Sequence, residues 1–401
     1  MPTRNRRRFA QALLDTSLGS RILETPLPPS LAGCERYSLA LEGAVFDFYA
    51  TSTSTHDPIP GPDANVWFGV GSSVGSFNIG LQAVQECGPG SGLSQGVLAD
   101  NAGNIWFGQS FGASQIGRSS TGCVIDTYPT AGATVDLALG PDGNIYFSDA
   151  AARLGSATPA GIITEFPTTY GTVDPIVGPG NTIWFGEFGP RIGRLSLDGS
   201  PLQEWTVTAA GIAGSLVPTP DGSVWYGTDI TIGRITPAGE VEEYPIGRSG
   251  AFNLLYGPDG NIWFGCQFTA QVGMVTPAGQ VSLYTIDDLP MGMAFGPDNK
   301  LYVGQLSYFL SVVDQGGSVN NVPLTGAIPF APHVGPDGNI WFPGNPYLNP
   351  GVPTFTGRMT PGGVLTEFQT YGYPNSFLNG YDGVTMYMGM SSATLGVAHV
   401  I

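Results

Sequence analysis

The chain has three histidines, and His56 is the first of them. Its imidazole can serve as general acid or base near neutral pH; the competing reading is a strand end near solvent. Glu187 and Asp149 are either carboxyls whose pKa burial would raise or solvated charges on a rim. Gln109 and Gln305 can donate a hydrogen bond to a substrate carbonyl, or merely satisfy neighbouring backbone. Cys266 has no histidine in its own stretch of sequence, so a packed thiol is a better reading than a nucleophile. The four cysteines, Cys34, Cys87, Cys123 and Cys266, show no CxxC spacing, which argues against zinc. Three pairings are open if all four pair, and free buried thiols are expected.

These residues are positioned by a repeat. An aromatic follows the same turn phrase nine times, in GPDANVWFG (Trp67), NAGNIWFG (Trp106), GPDGNIYFS (Tyr146), GNTIWFG (Trp184) and PDGSVWYG (Trp225). It returns in GPDGNIWFG (Trp263), GPDNKLYVG (Tyr302), GPDGNIWFP (Trp341) and DGVTMYMG (Tyr387). The intervals are 39, 40, 38, 41, 38, 39, 39 and 46 residues. A period near 40 with strand-like content predicts an all-β propeller of four-stranded blades, nine of them, with eight as the alternative if one repeat is degenerate. In the unit 248–286 the strands are expected at 252–256, 261–265, 271–276 and 281–286, with Gly257-Pro258-Asp259-Gly260 as the first turn. The aromatic of each second strand fills the space between blades. The glycines of Ile116-Gly117-Arg118, Ile192-Gly193-Arg194 and Ile232-Gly233-Arg234 are structural. The arginines of those phrases are expected as exposed blade charges.

The last repeat runs out after three strands, and Gly43-Ala44-Val45-Phe46-Asp47-Phe48 resembles a fourth strand such as Gly161-Ile162-Ile163-Thr164-Glu165-Phe166. The segment 43–50 is therefore expected to close the ring and leave no open edge. The division that follows is an N-terminal extension over 1–39 and a single propeller over 40–401.

Composition limits the partners. The chain of 401 residues carries a net charge of −17 and one lysine, Lys300. With no basic stripe beyond the N-terminus, nucleic-acid binding is not expected, and a neutral or cationic small molecule suits the field better than an anion. No apolar run reaches membrane-spanning length, the N-terminus lacks an apolar signal core, and no Asn-X-Ser/Thr sequon occurs. The expectation is a cytoplasmic protein, with secretion as the alternative. Oligomeric state is not legible.

The phrases GPDGNIWFG, IGRITPAGEVEEYPI (232–246) and TPAGIITEFP (158–167) resemble those of the virginiamycin B lyase family, over roughly residues 40–401. That resemblance implies a catalytic His eleven residues before the blade aromatic, a Glu three after it in the same blade, and magnesium nearby. The first of these columns reads His56, Gln95, Val135, Val173, Gly214, Phe252, Met291, Phe330 and Ser376. The second reads Val70, Gln109, Asp149, Glu187, Thr228, Cys266, Gln305, Gly344 and Met390. His56 matches but its blade offers Val70, and Glu187 matches but its blade offers Val173, so the dyad is split. His333 and His399 stand outside this register. The expectation is that no metal or other cofactor is used.

The neighbouring column gives Asp57, Asp136, Asp174, Ser215 and Asn253, so polar residues favour blades one to five and thin out from blade six. Phe252, Met291, Phe330, Phe377 and Met390 make the other side apolar, as a small-molecule pocket requires. The leading expectation is a natural-product enzyme that binds a hydrophobic or aromatic molecule and guides a metal-independent cyclisation. His56, Gln109 and Glu187 would be the catalytic handles, and Asp149, Gln95, Gln305, Phe252, Phe330, Phe377, Met291 and Met390 the substrate contacts. A lyase-like propeller without the dyad is similar to the fungal hetero-Diels–Alderases of tropolonic sesquiterpene biosynthesis. That similarity implies dehydration of a hydroxymethyl precursor to a quinone methide, then cycloaddition to an alkene. Orientation alone can supply about 7 kcal/mol to such a step. The alternatives are a metal-dependent lyase or lactonase using Asp149 with Glu187, and a non-enzymatic interaction propeller.

Overall fold

The computed structural model describes residues 36–41, 44–88, 93–110, 114–209, 212–326, 328–345, 354–370 and 372–400, with backbone alone at 36–41, 93–95 and 110. Among them every regular element is a β-strand. The repeat unit read from sequence folds as Ala251–Tyr256, Ile262–Cys266, Gln271–Val275 and Val281–Thr285, an antiparallel sheet in chain order. Its turn closes through Gly260 N–H to Gly257 O at 3.0 Å, with Gly260 at φ 78°. Asp259 accepts from the side chain of Asn261 at 2.8 Å and from the indole of Trp263 at 3.1 Å. The same clamp joins Asp63 to Trp67, Asp100 to Trp106 and Asp337 to Trp341, and the phenols of Tyr146 and Tyr302 to Asp142 and Asp298. A polar turn is thereby tied to a buried ring, which satisfies the ring's only donor.

Nine such sheets form the ring, which is a nine-bladed propeller. Each blade aromatic packs on its successor: Trp67 with Ile105 and Phe107, then Trp106 with Ile145 and Phe147. A fully buried large apolar side chain stabilises by roughly 1.5–3 kcal/mol, so these junctions carry the fold. Third-strand glycines make room for the preceding Phe; a Cβ on Gly193 would meet Phe185 at 2.0 Å. The arginines beside them are not exposed charges. Arg194 lies 5.4 Å from the Trp184 ring and 5.2 Å from that of Trp205, while Arg118 and Arg234 cover Trp106 and Trp225. The blade's ring faces draw each guanidinium inward as a cation–π partner.

The ninth blade is completed from the other end of the chain. Ala44–Ala50 pairs antiparallel with Thr394–Val400, placing Phe46 and Phe48 in a core with Trp341 and Met388. Arg36–Leu41 adds a fifth, outermost strand that the sequence pattern does not announce. The expectation of free thiols is corrected at two positions. Cys87, just after blade one, and Cys123, in the outer turn of blade two, have Cα atoms 4.8 Å apart and form a disulfide. Cys266 is free and buried, and Cys34 lies outside the described residues.

Candidate functional site at the channel wall

The first strands of successive blades lie against one another around the axis. Most carry a β-bulge near the start, with register shifts between His56 and Ile59, Val173 and Ile176, Gly214 and Val217, and Phe252 and Leu255. The bulge residue turns left-handed without being glycine: Asp57 at φ 46°, Asp174 at 48°, Ser215 at 53° and Asn253 at 50°. Each such residue costs on the order of 1 kcal/mol, and hydrogen bonds between blades offset it. Asp57 N–H donates to Ser376 Oγ at 3.0 Å, Asp174 N–H to Asp136 Oδ2 at 3.3 Å, and Ser215 N–H to Asp174 Oδ2 at 3.3 Å. Leu254 N–H donates to Ser215 Oγ at 3.0 Å. The polar column beside the first is thus a belt of interblade bonds.

His56 sits on this belt. Its ring lies across Gly69, where a Cβ would come within 2.0 Å of it, and Nδ1 is 3.1 Å from Asp57 Oδ2. The histidine side chain is 26% exposed and that of Asp57 49%, so the pair meets solvent. Phe252 lies over Gly265 in the same way; the glycine of the WFG phrase is a platform for the inner side chain. Asp136 has its pKa raised by burial first, then by the charge of Asp174, with a smaller push from Asp57. Three acids of blades one, three and four therefore share one negative field, and no Lys or Arg occurs in any first strand.

On the opposite arc Phe252, Met291, Phe330 and Phe377 are half-buried. His333, which stood outside the repeat register, stacks on Phe377 with ring centroids 5.8 Å apart and bonds Asn379 Oδ1 at 3.2 Å. Burial holds its pKa below the ordinary value. Met390 is different: it has no exposure and belongs to the core around Trp341. The side chain of Gln95 lies outside the described residues.

The second column does not reach the channel surface. Gln109, Asp149, Glu187 and Gln305 all have 0% exposure. Each stands at or near the end of a second strand; Asp149, Glu187 and Gln305 complete the backbone of the connector from the preceding blade, and Gln109 that of a turn in blade one. Gln109 donates to Ser72 O at 3.2 Å. Asp149 accepts from Gly132 N–H at 3.0 Å and Ala151 N–H at 2.6 Å. Gln305 accepts from the N–H groups of Asp287 and Asp288 at 3.1 and 3.0 Å. Glu187 accepts from Tyr170 N–H at 2.8 Å, and burial together with a hydrogen bond to Glu204 pushes its pKa up to about 8. Its Oε1 is buried without a hydrogen-bond partner, which adds to the cost of ionising the carboxyl. Fourth-strand glutamates reinforce the same connectors: Glu204 binds Thr169, Glu243 binds Thr208 and Glu367 binds Thr325. The Thr-to-Glu spacing of about one blade was the overlooked sequence signal for this latch.

Asp149 and Glu187 thus have separate tasks in separate blades, and the divalent pair considered from sequence does not form. Among the described residues no three His, Cys, Asp or Glu side chains converge as a ligand set. The described residues therefore offer no matching donor set for the magnesium of the resembled lyases.

Among solved structures, a streptogramin B lyase is 22% identical, covering 66% of this chain and 92% of its own, with a TM-score of 0.48. A virginiamycin B lyase from Staphylococcus aureus is 21% identical, covering 77% and 95%, also at 0.48. The WD40 propeller domain of Doa1 is 14% identical, covering 64% and 91%, at 0.45. No curated protein sequence matches the chain. The Virginiamycin B lyase family matches residues 59–307 and, in an overlapping stretch, 174–368. With more than half its length so matched, the chain belongs to the virginiamycin B lyase family.

Proposed function

We propose that this protein is a lyase-type enzyme in which the His56–Asp57 pair removes a proton from an amphipathic small molecule held at the channel wall. The observation that carries the reading is the 3.1 Å contact between His56 Nδ1 and Asp57 Oδ2 on an innermost strand, with both side chains open to solvent. Neutral His56 takes a proton from a carbon next to an acyl group. The C–H electron pair becomes the new double bond, and the C–O bond on the adjacent carbon breaks, its oxygen leaving with both electrons. The imidazolium formed is stabilised by the Asp57 carboxylate and returns its proton to the departing oxygen. Phe252, Met291, Phe330 and Phe377 pack the apolar part of the substrate, and Asp136, Asp174, Ser215 and Asn253 face its polar part.

The cyclisation expected from sequence, cycloaddition to a quinone methide, begins with loss of water from a hydroxymethyl phenol. It is a finer form of the same reading, because that loss also needs a proton acceptor and donor at the wall. The Cys87–Cys123 disulfide supports the secreted alternative over the cytoplasmic one.

The test is turnover of two probes, quinupristin and an ortho-hydroxymethyl phenol with an alkene trap, followed by liquid chromatography–mass spectrometry. A catalytically inactive virginiamycin B lyase from Staphylococcus aureus has been crystallised with quinupristin, which makes it the natural first probe. Turnover that drops by about 100-fold or more in His56→Ala, in line with general acid–base contributions, supports the reading. Equal turnover by His56→Ala and the parent sinks it.

A further inference from the structure

We infer that Asn375 and Ser376 of the ninth blade are positioning residues for His56, so that the proton acceptor is aligned only in a closed ring. The catalytic consequence rests on the proposed role of His56, but the geometry stands by itself. The backbone on both sides of His56 is held by the neighbouring blade. Asn375 Nδ2 donates to Thr55 O at 2.8 Å, and Asp57 N–H donates to Ser376 Oγ at 3.0 Å. The Ser376 hydroxyl donates in turn to Asn375 Oδ1 at 2.8 Å, so the two clamps are joined. Thr55 is seated further by its hydroxyl, which donates to Thr394 O at 2.7 Å and accepts Met390 N–H at 2.9 Å.

At the junctions among blades three to six a single side chain bonds the next blade's amide. The double clamp falls where the bulge carries the histidine. Gly389 makes it possible, since a Cβ there would meet Ser376 Oγ at 2.4 Å, Asn375 Oδ1 at 2.6 Å and His56 Cα at 2.8 Å. Asp57 holds φ 46° while its amide is engaged. Released from Ser376, it relaxes to negative φ, where an aspartate is unstrained, and its carboxylate swings off His56 Nδ1. Blade nine is the sheet completed by Ala44–Ala50, so closing the ring and aligning the histidine are one event.

The experiment uses full-length protein with isotope-labelled histidine. Three histidines give three sets of ring signals, and His56→Ala assigns the one in question. Ser376→Ala and Asn375→Ala are expected to shift or broaden the His56 Nδ1 signal while those of His333 and His399 stay put. Ser376→Thr, which keeps the hydroxyl, is expected to restore it. With quinupristin as probe, kcat falls about tenfold in the Ala variants at unchanged KM. Asn375→Asp, which keeps the acceptor for Ser376 but replaces the donor to Thr55 O with a second acceptor, serves as a second variant should Ser376→Ala fold poorly. An unmoved His56 signal in the Ala and Asp variants overturns the inference. A moved signal with His56→Ala as active as the parent leaves the clamp standing and overturns only the catalytic reading.

Discussion

Glu187 offers a prediction whose sign and size both follow from its surroundings. The carboxyl has no exposure, accepts Tyr170 N–H and lies near Glu204, which Arg191 Nη1 approaches at 3.2 Å. Its pKa is about 8 in the folded protein against an ordinary 4.5. Below pH 4.5 folded and unfolded chains both hold the proton and stability is full. As pH rises from 4.5 toward 8 the unfolded chain ionises while the folded one resists, so stability is progressively lost. At about 1.4 kcal/mol per pH unit that gap caps the loss near 5 kcal/mol, with about 3 kcal/mol gone by pH 7. Glu187→Gln keeps the uncharged shape: the amide oxygen still accepts from Tyr170 and the amide brings no charge into the buried site near Glu204. The variant should match the parent at pH 4 and exceed it by about 3 kcal/mol at pH 7. For a chain of this length about 0.8 kcal/mol corresponds to one degree, so melting followed by circular dichroism should rise about 4 °C at pH 7. An offset identical at pH 4 and pH 8.5 would show that Glu187 is not the proton holder and refute the reasoning.

Reduction of the Cys87–Cys123 bond, or Cys87→Ser, should lower stability by about 3–4 kcal/mol, the chain-entropy value for a loop of this length, read as a drop in melting temperature with dithiothreitol. An unchanged melting temperature would mean that the bond constrains nothing. Arg194→Leu, removing a guanidinium that lies beside the stacked Trp184 and Trp205 rings, should cost about 1 kcal/mol and alter the near-ultraviolet dichroism of those rings. Asp259→Ala leaves the Trp263 indole without its acceptor and should cost about 1–3 kcal/mol, with a shift in tryptophan emission; a silent spectrum would argue against the clamp. Gly193→Ala should prevent folding or sharply lower yield, because its Cβ would overlap Phe185.

The channel chemistry was only partly legible beforehand. His56 could be singled out because a lone histidine at a repeat-related position is visible in one dimension, and its neighbour Asp57 with it. Ser376 was visible only as a column member; nothing in its spacing says that it reaches across the ring seam to residue 57. Gln109, Asp149, Glu187 and Gln305 share a register with a catalytic glutamate of the resembled lyases, yet all four are buried under neighbouring backbone. Register specifies where a strand ends, and burial depends on what a later segment lays over that end.

By itself the chain determined the blades, since Pro-Asp-Gly turns, two-residue alternation and an aromatic every 40 residues or so are local properties that any nine copies would express alike. It also determined the closing strand, whose pattern matches a fourth strand wherever it occurs. Only the tertiary structure decided the rest: which carboxyls stay in water, which cysteines meet, which arginines stack on rings, and which side chains of blade nine hold His56. Those outcomes depend on distances between residues far apart in sequence, and burial or hydrogen bonding acts on the atoms that packing brings together.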